Sequence, residues 1–189
     1  MTQRFDYDLL VIGAGSGGVR AARKSAEFGA RVAVVEEAAL GGTCVNVGCI
    51  PKKLYVYASE FASAWREAKG FGWRSDGVSF DWDTLRDNKS KEIARLNAIY
   101  ERLLNAPGVD IITGHGTLTG PQSVLVNGHT YRAEKILLAT GTWPALPDIP
   151  GNELALTSNE IFDLAQFPQR LLIVGGGYIA TEFASIFSG

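Results

Sequence analysis

The sequence of 189 residues is poor in sulfur and histidine, with two cysteines, one methionine and two histidines. It contains no apolar run of the roughly 20 residues that a membrane-spanning helix needs, and its first residues lack the pattern of a secretory signal. Eighteen Lys and Arg stand against 20 Asp and Glu, without the basic excess typical of a nucleic-acid surface. We therefore expect a cytoplasmic protein that binds neither nucleic acid nor a membrane.

The shortage of histidine also argues against a metal site. Structural zinc usually takes four Cys or His ligands. The two histidines, His115 and His129, lie far from the cysteines in sequence and lack the paired spacing of zinc ligands. We expect that the chain binds no metal.

The two cysteines, Cys44 and Cys49, lie close together in the run GGTCVNVGCIPKK, residues 41–53. With four residues between them, a disulfide would close a small ring that can open without unfolding the domain. A cross-link over so short a loop adds little stability, and cytosolic disulfides are more often catalytic than structural. The spacing favours a redox-active pair over a structural cross-link or a zinc site.

The N-terminal part has the pattern of a dinucleotide-binding unit. A buried strand is predicted over residues 7–12, followed by a glycine-rich turn, an amphipathic helix to about residue 28, and a strand that ends at Glu36. Gly13 permits the tight turn, Gly15 lets a pyrophosphate approach the backbone, and Gly18 lets the helix pack closely on the strand. The phosphates would lie at the positive end of the helix, and Glu36 would accept hydrogen bonds from an adenosine ribose.

The middle of the chain predicts helices and then short strands. We expect a helix from Thr43 to about Trp65, a loop over residues 70–81, and a long helix from Trp82 to Asn105. Residues 109–133 predict a small antiparallel meander with a hairpin turn at Asn127–Gly128. Residues 135–141 predict another buried strand that ends in a small-residue turn.

In the C-terminal part, the sequence predicts a domain boundary and, after it, a second glycine turn. Residues 143–151 contain three prolines and form a stiff linker. A short helix is predicted around residues 159–164, and a strand over 170–174 leads into a second glycine turn, with Ala180 in the third small position. The interpretation is an α/β protein with one domain over residues 1–143 and the incomplete start of a second over 144–189. Since the second unit lacks its next strand, we expect these residues to be a fragment of a considerably longer protein.

The pattern Gly-Gly-Thr-Cys-x-x-x-x-Gly-Cys-x-Pro around Cys44 and Cys49 resembles the active-site signature of the FAD-dependent pyridine nucleotide-disulfide oxidoreductases. The resemblance runs from about Tyr7 to the last residue. It implies FAD and NADPH as cofactors, a Rossmann-like FAD-binding domain with a parallel sheet and a small antiparallel meander, and the truncated start of an NADPH-binding domain. It also implies that Cys44 attacks the substrate disulfide, that Cys49 lies against the flavin, and that the intact protein is a homodimer whose catalytic His and Glu lie beyond these residues.

The resemblance implies a set of cofactor-binding residues. The FAD contacts lie in the first glycine turn, at the end of the second strand, in the redox segment, and in two later segments of the chain. They are Gly13, Gly15, Ser16, Gly17, Gly18, Glu36, Gly42, Thr43, Cys44, Lys52, Gly116, Ala139, Thr140 and Gly141. The NADPH contacts lie in the second glycine turn and its helix: Gly175, Gly176, Gly177, Tyr178, Ile179 and Glu182. Glu182 would pair with Lys52 as a catalytic residue, and Tyr178 would cover the nicotinamide pocket.

Three residues are implied to bind the substrate, namely Ser16, Arg23 and Tyr100. Taken alone, Arg23 has the character of a surface charge, and Tyr100 lies at the edge of an apolar helix face. Through the resemblance, Arg23 and Tyr100, together with Lys52, imply glutathione disulfide as the preferred substrate. Another small thiol disulfide, lipoamide or mercuric ion are alternatives within the family, and a non-catalytic FAD-binding module is an alternative of another class.

Overall fold

The computed structural model describes residues 5–74 and 77–189, and the chain divides into two compact units. The first unit contains the residues up to Asn46 together with Ile93–Trp143, and the second contains Val47–Glu92 and Pro144–Gly189. In the described ranges, none of the helices is both long and apolar enough to span a bilayer.

The first unit is built on a sheet of mixed direction. In the described part of the chain its six strands are β1 (Tyr7–Ile12), β2 (Val32–Glu36), β3 (Asp110–Thr113), β4 (Thr117–Gly120), β5 (Ser123–Val126) and β6 (His129–Leu138). Their order is β3-β2-β1-β6-β5-β4, with parallel pairing from β3 to β6 and antiparallel pairing from β6 to β4. Helix α1 (Ser16–Glu27) connects β1 to β2. The predicted α/β class is confirmed.

Strands β1 and β2 are buried on both faces because their apolar residues are continuous. Val11 and Val34 pack into the core on one face of the sheet. Leu10, Ala33 and Val35 pack into the core on the other, as expected from the alternation of side chains along a strand. Each fully buried Val or Leu side chain contributes about 1.5–3 kcal/mol, so this pair of strands is the stable centre of the unit.

The predicted antiparallel meander is partly wrong. Strand β3 pairs in parallel with β2 and so belongs to the parallel part of the sheet. Strand β6 is a single strand, with its first half antiparallel to β5 and its second half parallel to β1. The strand predicted separately over residues 135–141 is therefore the end of β6, and Leu138 there is 59% exposed rather than buried. The hairpin turn is confirmed, because Asn127 and Gly128 both have positive φ, 50° and 81°.

The helix predicted from Thr43 to Trp65 is two helices, α2 (Gly42–Asn46) and α3 (Cys49–Ala68). The break lies at Gly48, whose φ of −147° and ψ of −115° are not helical. Helix α4 (Trp82–Asn105) has the predicted bounds. The predicted loop over residues 70–81 begins in a 3-10 turn, Lys69–Phe71, and includes residues 75 and 76, which lie outside the described residues.

The second unit has an aromatic core. Tyr55 of α3 packs against Trp82 and Phe162, and Phe162 packs against Phe183 of α5 (Tyr178–Ser188). Short 3-10 turns lie at Asn152–Leu154 and Ile161–Asp163, the second where a short helix was predicted. The unit is thus held together by rings from four separate elements of the chain.

The strand predicted over residues 170–174 is not formed. This segment has no regular secondary structure, and Leu172 and Val174 are 89% and 79% exposed. A strand needs hydrogen-bonded neighbours to be stable, and no strand in the described ranges pairs with this one.

Candidate functional site

The first glycine turn is a tight crossing of two chain segments. Gly13 has a φ of +102°, and a Cβ atom there would lie 2.3 Å from the carbonyl oxygen of Ala139. The backbone N–H groups of Gly13 and Ala139 donate to the carbonyls of Val35 and Ile12, each at 2.8 Å. The ends of β1, β2 and β6 therefore meet at this turn.

Helix α1 starts directly from the turn. Gly15 is its N-cap, and a Cβ atom at Gly18 would lie 1.8 Å from the carbonyl oxygen of Gly13. Only glycine fits at position 18 without moving the turn. A Cβ atom at Gly17 would meet nothing within 4 Å, so the outer side of the helix start is open to a ligand.

Glu36 closes the side of the turn. Its Oε2 accepts from the N–H of Ala14 at 2.7 Å, and its Oε1 accepts from the N–H of Ala38 at 2.9 Å. A carboxylate can accept about four hydrogen bonds, so its two oxygens keep further capacity. Glu36 is thus fixed in place and can still accept bonds from a ligand hydroxyl.

A second loop lies on the ends of the same strands. A Cβ atom at Gly116 would lie 3.3 Å from side-chain atoms of Ile12 and Val35. Beside it, Nδ1 of His115 lies 2.6 Å from Oε2 of Glu37. His115 is in a loop, and Gly116 lies at the carboxyl ends of β1 and β2.

These features fit FAD. In sheets of this kind, dinucleotides bind at the carboxyl ends of the parallel strands, with the pyrophosphate at a helix N-terminus. The exposed backbone at Ser16 and Gly17, the fixed carboxylate of Glu36, and the exposed Thr140 and Gly141 after β6 surround that position.

The redox segment starts at the same turn. Gly41 donates its N–H to the carbonyl of Ala14 at 2.9 Å. Gly42, at a φ of +59°, is so close to Gly15 that a Cβ atom on it would lie 2.6 Å from the Gly15 Cα. Thr43 is exposed and Cys44 is half-buried. The short helix that carries Cys44 therefore begins against the glycine turn.

Cys49 belongs to the second unit, where it is the exposed first residue of α3. Lys52, one turn further on, places Nζ 2.7 Å from Oε1 of Glu182 on α5. The hydrogen bond to Glu182 raises the pKa of Lys52, and the charges of Glu182, Cys49 and Tyr178 add to the shift. The pairing of Lys52 with Glu182 that the resemblance implied is present.

The second glycine turn is more open than the first. Gly175 has a φ of +110°, and Gly177 is the N-cap of α5. A Cβ atom at Gly175, Gly176 or Gly177 would meet nothing within 4 Å. Tyr178 and Ile179 are 77% and 41% exposed. The helix start that the motif predicts is formed, whereas the enclosing contacts seen at the first turn are not.

The implied substrate residues lie on two helices of the first unit. Ser16 is exposed in the first turn of α1. Arg23, further along α1, has Nε 3.5 Å from Oε1 of Glu27, and among the described residues this buried nitrogen has no hydrogen-bond acceptor. Tyr100 of α4 packs against the apolar cluster that contains Val11.

Sequence reasoning missed two asparagines, Asn46 and Asn97, which join the redox segment to α4. The available signal was their position. Asn46 lies between the two cysteines, and Asn97 is a polar residue with helical spacing to the apolar Ile93 and Leu104.

In residues 5–74 and 77–189, no group of three or more Cys, His, Asp or Glu side chains is arranged to hold a metal ion. The candidate residues are the dinucleotide cradle with Cys44 in the first unit, and Cys49 with the Lys52–Glu182 ion pair in the second.

A Rossmann-like cradle followed at once by two closely spaced cysteines defines a nucleotide-dependent disulfide oxidoreductase. The chain belongs to the pyridine nucleotide-disulphide oxidoreductase family, which it matches over residues 7–189. This membership supports FAD and NADPH as the cofactors.

Several curated relatives are glutathione reductases. The chain is 50% identical to that of Burkholderia cepacia over 99% of the chain and 42% of the relative. It is 48% identical to the chloroplastic/mitochondrial glutathione reductase of Pisum sativum, over 99% of the chain and 36% of the relative. It is 45% identical to the glutathione reductase of Nostoc sp., over 98% of the chain and 40% of the relative. The chain thus spans about two fifths of the length of these relatives.

Proposed function

We propose that the intact protein reduces glutathione disulfide with electrons from NADPH, and that this chain supplies its FAD-binding domain and its redox-active cysteines. The observation that carries the proposal is the contact between Gly42 and Gly15, which starts the Cys44 helix at the dinucleotide cradle. The names of the relatives support glutathione disulfide as the substrate.

In this proposal, residues 1–143 form the FAD-binding domain and residues 144–189 begin the NADPH-binding domain. The glycine turn holds the pyrophosphate of FAD, and Glu36 accepts hydrogen bonds from its ribose. When bound, FAD carries two electrons from NADPH to the cysteine pair. Gly175, Gly176, Gly177, Tyr178 and Ile179 contribute to the NADPH site, for which the start of α5 at Gly177 is the supporting observation.

The cysteines perform disulfide exchange. The thiolate of Cys44 attacks one sulfur of glutathione disulfide, the substrate S–S bond breaks, and the first glutathione leaves as a thiolate that takes up a proton. The thiolate of Cys49 then attacks the sulfur of Cys44, releases the second glutathione, and forms the Cys44–Cys49 disulfide. The cysteine pair loses two electrons and the substrate gains them. The intact homodimer supplies the protons from the catalytic acid of its partner subunit.

The remaining residues orient these groups. Lys52, held by Glu182, places a positive charge one helical turn after Cys49. Ser16, Arg23 and Tyr100 bind glutathione disulfide, with the guanidinium of Arg23 facing a carboxylate of the substrate. The buried Nε of Arg23, which has no acceptor in the described part of the chain, supports this role.

The proposal includes a homodimer in the cytoplasm. A dithiol that must be re-reduced in each cycle is suited to a reducing compartment. Several large apolar side chains are highly exposed: Trp73, Trp143 and Leu172 are 67%, 81% and 89% exposed. Exposed apolar surface is typical of a region that packs against another domain or subunit.

The test is an anaerobic thiol count. NADPH should release two reactive thiols, those of Cys44 and Cys49, from the oxidised intact protein, and neither Cys44→Ser nor Cys49→Ser should show this gain. Glutathione disulfide should then consume the thiols, whereas lipoamide or mercuric ion should do so far more slowly. Faster turnover of either alternative would overturn the choice of substrate.

A second candidate function is a non-catalytic FAD-binding module, which the open second glycine turn favours. Such a module binds FAD and gains two thiols with dithionite, but gains none with NADPH. The same thiol count therefore separates the two functions.

A further inference from the structure

Two asparagine side chains close the turn that leads into the Cys44 helix. Nδ2 of Asn46 donates to the carbonyls of Gly42 at 2.9 Å and Leu40 at 3.2 Å. Nδ2 of Asn97, on α4, donates to the carbonyl of Leu40 at 2.7 Å and to Oδ1 of Asn46 at 3.0 Å. Each amide thus makes at least two hydrogen bonds.

These hydrogen bonds stabilise a helix, α2, that is too short to be stable alone. Helix α2 has five residues, too few to be stable by helix formation alone. Asn46 is its last residue and ties it back to Gly42 and Leu40. The bonds are partly buried, and removing a donor there leaves its partner carbonyl without a hydrogen bond, which destabilises the segment.

The network also ties the redox segment to the helix that carries Tyr100. Asn97 lies three residues before Tyr100, so the two side chains project from neighbouring positions on α4. Leu40 and Tyr100 pack against the same apolar cluster. The hydrogen bonds and this packing together set where Cys44 lies relative to Tyr100.

We infer that Asn46 and Asn97 are positioning residues for disulfide exchange, which hold the Cys44 helix in register with the Tyr100 face of α4. The inference rests on the proposed function for its catalytic consequence. A misplacement of about 1 Å can lower the rate of such a reaction about 100-fold. A network that holds the Cys44 helix in place therefore affects the rate of disulfide exchange.

The first experiment measures Cys44 without any turnover. In a Cys49→Ser background, Cys44 is the single thiol, and its alkylation by iodoacetamide reports how well its helix is held. Asn97→Asp keeps the shape of the side chain and removes both donated bonds. We expect it to raise the alkylation rate about three-fold or more, because the half-buried thiol becomes accessible when its helix loosens. Asn105→Ala, an exposed asparagine at the end of the same helix, is the matched control and should leave the rate unchanged.

The second experiment separates positioning from general stability in the intact protein. We expect Asn97→Asp to lower kcat/KM for glutathione disulfide about ten-fold, the equivalent of one lost hydrogen bond of this kind. The NADPH-dependent reduction of ferricyanide, which does not require the cysteines, should stay unchanged, as should FAD content. Asn46→Asp should behave in the same way, because both side chains belong to one hydrogen-bond network.

An unchanged alkylation rate in folded Asn97→Asp and Asn46→Asp chains would overturn the inference. Equal losses in the glutathione and ferricyanide reactions would also overturn it, since they would show a general structural role. Should Asn97→Asp fail to fold, Asn46→Ser provides the same alkylation test from the redox segment itself. Failure of the proposed function appears separately, as wild-type protein that does not turn over glutathione disulfide while the alkylation difference persists.

Discussion

Nζ of Lys52 and Oε1 of Glu182 lie 2.7 Å apart, although 130 positions of sequence separate the two residues. The pair joins the first turn of α3, which starts at Cys49, to the helix that follows the second glycine turn. Both side chains are partly exposed, at 28% and 36%, so water screens their attraction. The main effect of the pair is to fix the position of the Lys52 ammonium group in the first turn of α3.

Glu182→Gln should lower the pKa of Lys52 toward its ordinary value of 10.5, because the hydrogen bond to Glu182 is the main cause of its rise. The raised pKa of Lys52 makes the stability of the folded chain depend on pH. Since the folded chain holds this proton more tightly, the stabilisation by Lys52 is complete below pH 10.5 and is lost as the pH rises through the raised value. NMR titration of the lysine side chains measures the shift. Glu60→Gln, on the exposed side of α3, is the control, and an equal change there would contradict the assignment.

Two neighbouring glycines of α1 should respond in opposite ways to alanine. Gly18→Ala forces a Cβ atom against the carbonyl of Gly13, and we expect it to destabilise the chain by about 3 kcal/mol. Gly17→Ala meets no neighbour and should stabilise the helix by about 0.5–1 kcal/mol. Urea denaturation followed by circular dichroism measures both. Similar effects from the two substitutions would show that α1 does not pack against the turn as described.

Glu36→Gln should weaken FAD binding about ten-fold, because one carboxylate oxygen becomes an amide NH2 that cannot accept a hydrogen bond, and the other oxygen loses its charge. The apo-protein is titrated with FAD and the quenching of flavin fluorescence gives Kd. Glu37→Gln removes the neighbouring charge, whose described contact is with His115, and should change Kd less than about two-fold. Equal effects of the two substitutions would argue for a general charge effect rather than a specific contact.

Tyr55→Phe should cost about 1–2 kcal/mol, because the buried Tyr55 hydroxyl donates to the carbonyl of Phe162 at 2.6 Å. Burial also raises the pKa of the Tyr55 phenol above its ordinary value of 10.0. The unfolded chain therefore ionises first, and the wild-type protein should lose stability as the pH rises above 10.0 toward the raised value. Urea midpoints measured on both sides of pH 10.0 should show a smaller loss in Tyr55→Phe. Tyr57→Phe, half-exposed on the same helix, should retain the full loss.

Elements with a strong local pattern were predicted well. Strand β1 and helix α4 have the predicted bounds, and the predicted hairpin turn at Asn127–Gly128 is formed, with positive φ at both residues. In each case the signal lies within a few residues, as an apolar run, a helical stripe or a turn dipeptide. Local preferences of this kind act on the chain before any long-range contact forms.

The wrong predictions concern elements whose form depends on a neighbour. The apolar segment at residues 170–174 is not a strand, because no described strand pairs with it. Strand β6 continues through residues 135–138, because β1 and β5 provide partners for its two halves. A single helix after Thr43 was predicted from its apolar pattern, whereas the backbone turns away from helix geometry at Gly48.

The sequence by itself determined which chemical groups lie close together along the chain: a strand, a glycine turn, a helix, an acid at the end of the next strand, and two cysteines soon after. Covalent connectivity sets those spacings, so they can be read without a structure. Only the tertiary structure decided that Gly42 touches Gly15 and that Asn97 bonds to Asn46, and it also brings Lys52 to Glu182, a pairing that the resemblance implied. Two of these contacts join residues 51 and 130 positions apart, and such residues meet only when the core between their elements has packed.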